Sequence, residues 1–204
     1  MRVLVACEFS GKTRDAFLAK GHDAWSCDLL PTDVPGPHIQ GDVLKVLDDG
    51  WDLMIGHPEC TYLCNSGVHH LHKEPDGSGT LKGRHRWKAM YEGAMFFKRL
   101  WDAPIERIAI ENPIMHKYAK GYIGASQTQV IQPWMHGHLE SKATCLWLKG
   151  LAPLVPSNNV KEEFDKLDYV DRAKIHYVSP GPDRWKIRST TYDGIAQAFA
   201  DQWG

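Results

Sequence analysis

The sequence has no apolar run approaching the roughly 20 residues that a membrane span needs, so no membrane partner is expected. It has no excess of charge of either sign: 24 basic side chains stand against 25 acidic ones, for a net charge of −1. A protein coated in positive charge is thereby excluded, and any nucleic-acid contact has to be local. It has no paired set of cysteines. The five lie scattered at positions 7, 27, 60, 64 and 145, an odd count that suits a reduced, intracellular protein better than a disulfide framework. Internal repeats and low-complexity tracts are also lacking, and 43% hydrophobic content excludes wholesale disorder. Only one basic residue precedes acidic Glu8, so Met1 to Cys7 reads as a first buried strand and not as a signal peptide. Histidine (11 residues) and tryptophan (8) are abundant, and both point to a site more than to bulk stability. A length of 204 residues fits one domain, or one domain with an insertion.

Short apolar runs alternate with helical patterns along the chain. Strands are predicted at Arg2–Glu8, His22–Asp28, Ile39–Val43, Trp51–Gly56, Arg107–Ile110, Gln129–Trp134 and Cys145–Leu148. Helices are predicted at Thr13–Lys20, Lys88–Trp101 and Gly194–Trp203. This alternation implies an α/β fold around a mainly parallel sheet, with ligands at the carboxyl ends of the strands. Trp134, Trp147 and Trp203 are expected in the core. Two stretches resist packing: 68–86 reads as a loop insertion, and 150–183 as a small polar excursion within one domain spanning 1–204.

Three places carry chemistry. A strand, then Phe9-Ser10-Gly11-Lys12-Thr13, then a helix, with Asp28 ending the second strand, is a nucleotide-binding layout. Gly11 lets backbone approach a ligand, Asp28 can accept ribose hydroxyls, and Asp42 can take an adenine amino group. The fourth strand runs into His57-Pro58-Glu59-Cys60 and the fifth into Glu111-Asn112-Pro113. A thiol facing a carboxylate at strand carboxyl ends suggests covalent catalysis with an acid partner. Glu59 beside Cys60 is expected to disfavour the thiolate unless His57 or Lys142 offsets it. The dense basic cluster Lys82, Arg84, Arg86 and Lys88, with Trp87 among them, lies where a phosphate backbone would pass, and Arg184 is a further phosphate candidate.

In this ordered set the chain resembles the DNA cytosine carbon-5 methyltransferases, in particular short phage-type members. Phe9-Ser10-Gly11-Lys12-Thr13 resembles their Phe-x-Gly-x-Gly cofactor loop, with Thr13 at the last glycine. Asp28 and Asp42 match their acidic cofactor positions. Pro58-Glu59-Cys60 is similar to their Pro-Cys loop, with Glu59 where the family has proline. Glu111-Asn112 resembles the Glu-Asn-Val segment, and Glu140 to Thr144 the Gln-x-Arg-x-Arg segment, with Lys142 at the first arginine. Arg188–Thr191 and the final helix are similar to the closing motifs.

The resemblance implies a Rossmann-like S-adenosylmethionine-dependent methyltransferase fold, a mainly parallel seven-stranded sheet with helices on both faces. It implies a cofactor site at Phe9, Ser10, Gly11, Thr13, Asp28, Asp42, His57 and Pro58. It implies catalysis by Cys60, Glu111, Asn112 and Lys142. Cys60 would add to carbon 6 of cytosine, Glu111 would bind the base's Watson–Crick edge, and Lys142 would offer a cation. DNA is the implied partner, in the cytoplasm of a bacterial or phage-infected cell. The segment between Gly150 and Asp183 is too short for the family's target-recognition domain. Low specificity, a single-stranded substrate, a homo-oligomer or an accessory protein are therefore open alternatives. So are a free pyrimidine nucleotide, another transferred group, and a catalytically weak DNA-binding protein that keeps the fold. His57, Cys60, Cys64, His69, His70 and His72 lie close in sequence, yet no metal site is expected, because the catalytic loop already accounts for Cys60. Cys64 is read as a second pocket thiol or a packed side chain.

Overall fold

A computed structural model describes residues 1–204. Seven strands form one sheet: β1 (Arg2–Ala6), β2 (Asp23–Asp28), β3 (His38–Gln40), β4 (Leu53–Gly56), β5 (Arg107–Pro113), β6 (Gln129–Ile131) and β7 (Thr144–Lys149). Their order is β3-β2-β1-β4-β5-β7-β6. The first five strands pair in parallel, and β7 runs antiparallel to both β5 and β6. This is the Rossmann-like α/β architecture expected from the alternation of strands and helices.

The central strands read as continuous apolar runs because both of their faces are buried. Val3 and Val5 of β1, with Leu53 and Ile55 of β4, face α1 (Lys12–Ala19) and α7 (Asp193–Trp203) through Phe17, Ile195, Phe199 and Trp203. Leu4, Ala6, Met54 and Ile110 face the other way, onto α2 (Gly83–Trp101) through Met90, Ala94, Phe97 and Leu100. The α2 anchors recur at helical spacing, so one stripe of a 19-residue helix is buried. Trp147 and Trp203 lie in the core as expected, whereas Trp134 is half-buried.

Several boundaries differ from expectation: β3 stops at Gln40 and β6 at Ile131, β5 runs on to Pro113, and the largest differences lie at and before α2. Helix α2 starts at Gly83 rather than at Lys88, and a 3-10 turn over Asn65–His72 occupies part of the expected loop. Leu71 anchors that turn in the core with Val68 packed beside it, two apolar contacts too sparse to read as periodicity. Helix α3 (Lys117–Ile123) has no counterpart among the predicted helices. His116 caps it, its Nδ1 accepting from the Ala119 amide at 3.2 Å while its Nε2 faces the Tyr62 carbonyl at 3.1 Å. The 150–183 excursion carries α4 (Lys161–Lys166) and α5 (Tyr169–Arg172), and α6 (Arg184–Ser189) follows it.

Candidate active site

The carboxyl end of β1 is built around a buried carboxylate. Glu8 accepts from the Thr13 amide (2.7 Å), the Arg14 amide (3.2 Å) and the Ser10 hydroxyl (3.2 Å). The first-turn amides of α1 that would hold a phosphate are therefore already bound to an acid of the chain itself. A phosphate-bearing dinucleotide meets both blocked donors and a negative charge here. A ligand with a positive centre meets a favourable field.

Around this turn, Arg14 is fully buried and spends all five guanidinium donors. Nε donates to Asp15 at 2.8 Å, Nη1 to Ser26 and Thr32 at 3.3 and 3.2 Å, and Nη2 to the carbonyls of Val34 and Pro35, both at 3.3 Å. The guanidinium fills the space beside Gly11 and Gly36, where a Cβ would come within 2.5 and 2.6 Å of it. Arg14 thus ties the 29–37 loop to α1. Its role is not legible in the sequence, because nothing local to Arg14 announces partners as distant as Val34 and Pro35.

Asp28 and Asp42 meet at the edge of the sheet. The Gly41 amide donates to the Asp28 carbonyl at 2.8 Å, and both carboxylates, after burial, push the Cys7 thiol pKa far up. Asp28 Oδ1 accepts from the Leu30 amide and Asp42 Oδ1 from the Leu44 amide, so each carboxylate is held in place by its own loop. Cys7 has a left-handed φ of 60°, a rare conformation for a side chain other than glycine. Phe9 lies under α6: its ring is 5.4 Å from that of Trp185 and 5.6 Å from the Lys186 ammonium, which pairs with Asp33 at 2.7 Å.

The second cluster brings His57, Cys60, Glu111 and Lys142 together. β5 runs through Glu111, Asn112 and Pro113, which pair with Leu146, Cys145 and Thr144 of β7. Glu111 therefore sits on a hydrogen-bonded ladder rather than on a free loop. His57 Nδ1 meets Glu111 Oε2 at 2.9 Å. Asn112 is buried and donates from Nδ2 to the Pro58 carbonyl at 3.4 Å, joining the β4 loop to β5. The imidazole of His57, expected at the cofactor, is turned to Glu111, and the Pro58 carbonyl to Asn112. Lys142 lies 5.6 Å over the ring of Tyr192, whose hydroxyl donates to Glu140 at 2.8 Å.

Burial favours neutral His57, but the hydrogen bond and charge of Glu111, with Glu8 behind, raise its pKa. Burial likewise favours neutral Glu111, but the bond to His57 and the charges of Lys142 and His57 hold it below its ordinary range. The two shifts together favour the ionised pair over the neutral one. A raised histidine pKa adds stability that is full below the ordinary 6.5 and is lost as pH rises through the folded value. A lowered carboxylate pKa adds stability that is lost as pH falls below the ordinary 4.5. Urea unfolding of the parent and of His57→Gln across pH should accordingly show a gap that closes on the alkaline side. Parallel curves would contradict the pair.

Cys60 is pushed up to about 11, first by burial, then by Cys64 and Glu111, with Lys142 opposing. Glu59 is exposed and is not among these influences, so the expectation that it weakens the thiolate is corrected: Glu111 is the carboxylate that does so. Glu59→Gln should leave the pH profile of Cys60 alkylation unshifted, whereas Glu111→Gln should move it downward by removing a negative charge. A shift in the Glu59 variant would reverse the assignment. Cys64 lies 3.1 Å from the Ser66 hydroxyl and bridges Met115, so it is a packed loop residue.

The basic cluster divides. Arg86 is buried and donates to the Thr61 carbonyl at 3.2 Å, and Lys82 is buried against Asp76. Trp87 packs edge-on to Tyr118 at 5.0 Å and to His72 at 5.9 Å. Helix geometry imposes this, since residues 82 and 86 share the inward face. The expectation that Lys82, Arg86 and Trp87 contact phosphate or base is therefore corrected. Arg84 and Lys88 remain exposed, with Lys88 near Glu92 at 3.7 Å. Arg184 donates to the His176 carbonyl at 3.4 Å. The grouped histidines do not converge with Cys60 and Cys64, and no cluster of three metal-ligating side chains is formed. His136 and His138 act as fasteners: His136 Nδ1 meets Ser157 at 3.0 Å, and His138 Nε2 accepts from the Gly194 amide at 3.0 Å.

No family model and no curated protein matches the sequence. Among solved structures, the chain is similar to a DNA modification methyltransferase encoded within an E. coli prophage, at 13% identity and a TM-score of 0.49, covering 78% of this chain and 51% of that one. It is also similar to a methyltransferase of Entamoeba histolytica, at 13% identity and a TM-score of 0.45, covering 89% of this chain and 60% of that one. The chain thus spans about half to three-fifths of the length of these neighbours.

Proposed function

We propose that the chain transfers a methyl group from S-adenosylmethionine to carbon 5 of cytosine in DNA through a Cys60 adduct. The observation that carries this reading is the joining of Cys60, Glu111 and Lys142 at the carboxyl ends of β4 and β5, beside an acidic cofactor end. The donor set there suits this cofactor: Glu8 blocks phosphate while Asp28 and Asp42 offer acceptors for ribose hydroxyls and an adenine amine. When bound, S-adenosylmethionine supplies an electrophilic methyl group. Cys60, as the thiolate, adds to carbon 6 of the base and makes carbon 5 nucleophilic; once carbon 5 has gained the methyl group, loss of its proton to solvent and expulsion of the Cys60 thiolate from carbon 6 restore the ring. Glu111, held by His57 and the β7 ladder, accepts hydrogen bonds at the base's polar edge, and Lys142 offsets negative charge as it develops. Asn112 keeps the two loops in register.

Mass spectrometry of nucleosides from DNA incubated with protein and cofactor tests the reading, and 5-methyldeoxycytidine is the expected product. Asp28→Ala should weaken cofactor binding by roughly 1.5–3 kcal/mol, the range for lost hydrogen bonds to a charged acceptor. Calorimetry showing unchanged affinity would remove Asp28 from the site. One observation favours a second reading, a DNA-binding protein without turnover: a thiol held at about 11 is almost wholly protonated at neutral pH. Cofactor and DNA binding with no modified nucleoside at any pH would select it.

A further inference from the structure

We infer that a groove between the Asn65–His72 turn and α3 binds an unpaired nucleobase with its phosphate, namely the nucleotide next to the reacting base in single-stranded DNA. This rests on the reading of DNA as substrate. The groove encloses about 430 Å³, with Asn65, His69 and His72 on one wall and Ile114, Lys117 and Tyr118 on the other. That volume lies within the roughly 300–1,000 Å³ of small-ligand sites. Its chemistry is that of a stacking platform beside a cation. Tyr118 is braced edge-on by His72 at 5.7 Å and by Trp87 at 5.0 Å, so its ring is fixed before any ligand arrives. The Lys117 ammonium has no carboxylate partner and lies 5.2 Å over the same ring. Asn65 and His69 are exposed and add polar groups suited to a base edge.

Charge points the same way. From Pro113 to Leu139 the chain has no acidic residue. From Thr61 to Glu92, five cations stand against Glu74, Asp76 and Glu92; Asp76 is paired with buried Lys82 and Glu92 lies near Lys88, which leaves Lys73 and Arg84 as the exposed cations of this stretch beside Lys117. In a chain of net charge −1 this face is locally positive, as a short phosphate track requires.

The walls also continue the catalytic loops. The Asn65 amide donates to the Ile114 carbonyl at 2.8 Å, and Cys64 bridges Met115. No more than about 10 Å of extended backbone separates Glu111 from Ile114. A strand whose cytosine lies between Cys60 and Glu111 therefore brings an adjacent nucleotide to the groove. Entry needs an exposed base face, which a stacked duplex withholds. A substrate already single-stranded also avoids the few kcal/mol of base flipping.

The test uses the full chain and a fluorescent single-stranded hexadeoxynucleotide with one cytosine and a 5-iodouracil beside it. Ultraviolet cross-linking with peptide mass spectrometry should place the adduct within residues 65–72 or 114–118, and annealing the complement should remove it. Lys117→Glu and His72→Ala, both at exposed positions, should each weaken oligonucleotide binding by about tenfold or more and leave binding of deoxycytidine monophosphate unchanged. Cross-links only outside those two segments, parent-like affinity in both variants, or no binding of the oligonucleotide would overturn the inference. A groove cross-link without methylated product would sink the methyl-transfer reading alone. Methylated product with cross-links elsewhere would sink the groove alone.

Discussion

On the proposed reading, replacing Cys60 with serine should abolish methyl transfer to DNA and leave S-adenosylmethionine binding intact. The addition to carbon 6 needs a soft nucleophile, and a hydroxyl neither ionises at working pH nor adds to an unsaturated ring with comparable speed. Loss of a nucleophile that acts within a unit costs at least about a thousandfold in turnover. The proposed cofactor contacts are Asp28 and Asp42, not the thiol, so calorimetry with the cofactor should not distinguish variant from parent. DNA carrying 5-fluorocytosine should give a covalent adduct with the parent protein only, and its peptide should contain Cys60. Adduct formation at Cys64, or residual turnover above a few per cent in the variant, would move the nucleophile elsewhere.

Arg14→Met should destabilise the fold by about 3–5 kcal/mol, since a fully buried guanidinium surrenders five hydrogen bonds at once, at roughly 0.5–1.5 kcal/mol each. Methionine keeps much of the volume but none of the five donors: the Pro35 carbonyl loses its guanidinium partner, while the Val34 carbonyl keeps only the Thr32 hydroxyl. At about 2–4 °C per kcal/mol for a chain of this size, melting should fall by roughly 6–20 °C. Lysine is no substitute, since one ammonium cannot reach five acceptors arranged around a planar fork. The 29–37 loop starts beside Asp28, so cofactor affinity should fall along with stability. A variant melting within about 2 °C of the parent would show that the loop is held by other contacts, such as Lys186 on Asp33.

The central strands β1 and β4 are legible because double burial writes them as unbroken apolar runs, while the edge strands β3 and β6 are short and part-exposed and show only through their place in the alternation. The strand ends carry Gly11, Asp28, Cys60 and Glu111 with them. Partners distant in sequence are not legible. Residue type alone places Arg86 with Lys82 and Arg84 as one basic cluster, whereas the helix turns 82 and 86 inward together. Glu59 adjoins Cys60 along the chain, yet the carboxylate that bears on the thiol is Glu111, on another strand altogether. Adjacency in sequence is not adjacency in space where an exposed turn intervenes. His57 reads as a neighbour of the cofactor for the same reason. Helix α3 escapes the pattern because seven residues give too little periodicity, and the cap that starts it is an uncommon histidine.

The antiparallel strand between β5 and β6 bears on how the protein comes into being. Glu111 is locked by Leu146 of β7, and Lys142 immediately precedes that strand, so neither is in place until the ribosome has passed Lys149. A nascent chain that ends at Glu140 already contains the cofactor end, Cys60 and the groove, but the thiol and carboxylate are not yet fixed against each other. Competence arrives with the last third of translation. A fragment from Met1 to Glu140 should accordingly be inert by itself and recover activity when the remainder is supplied in trans.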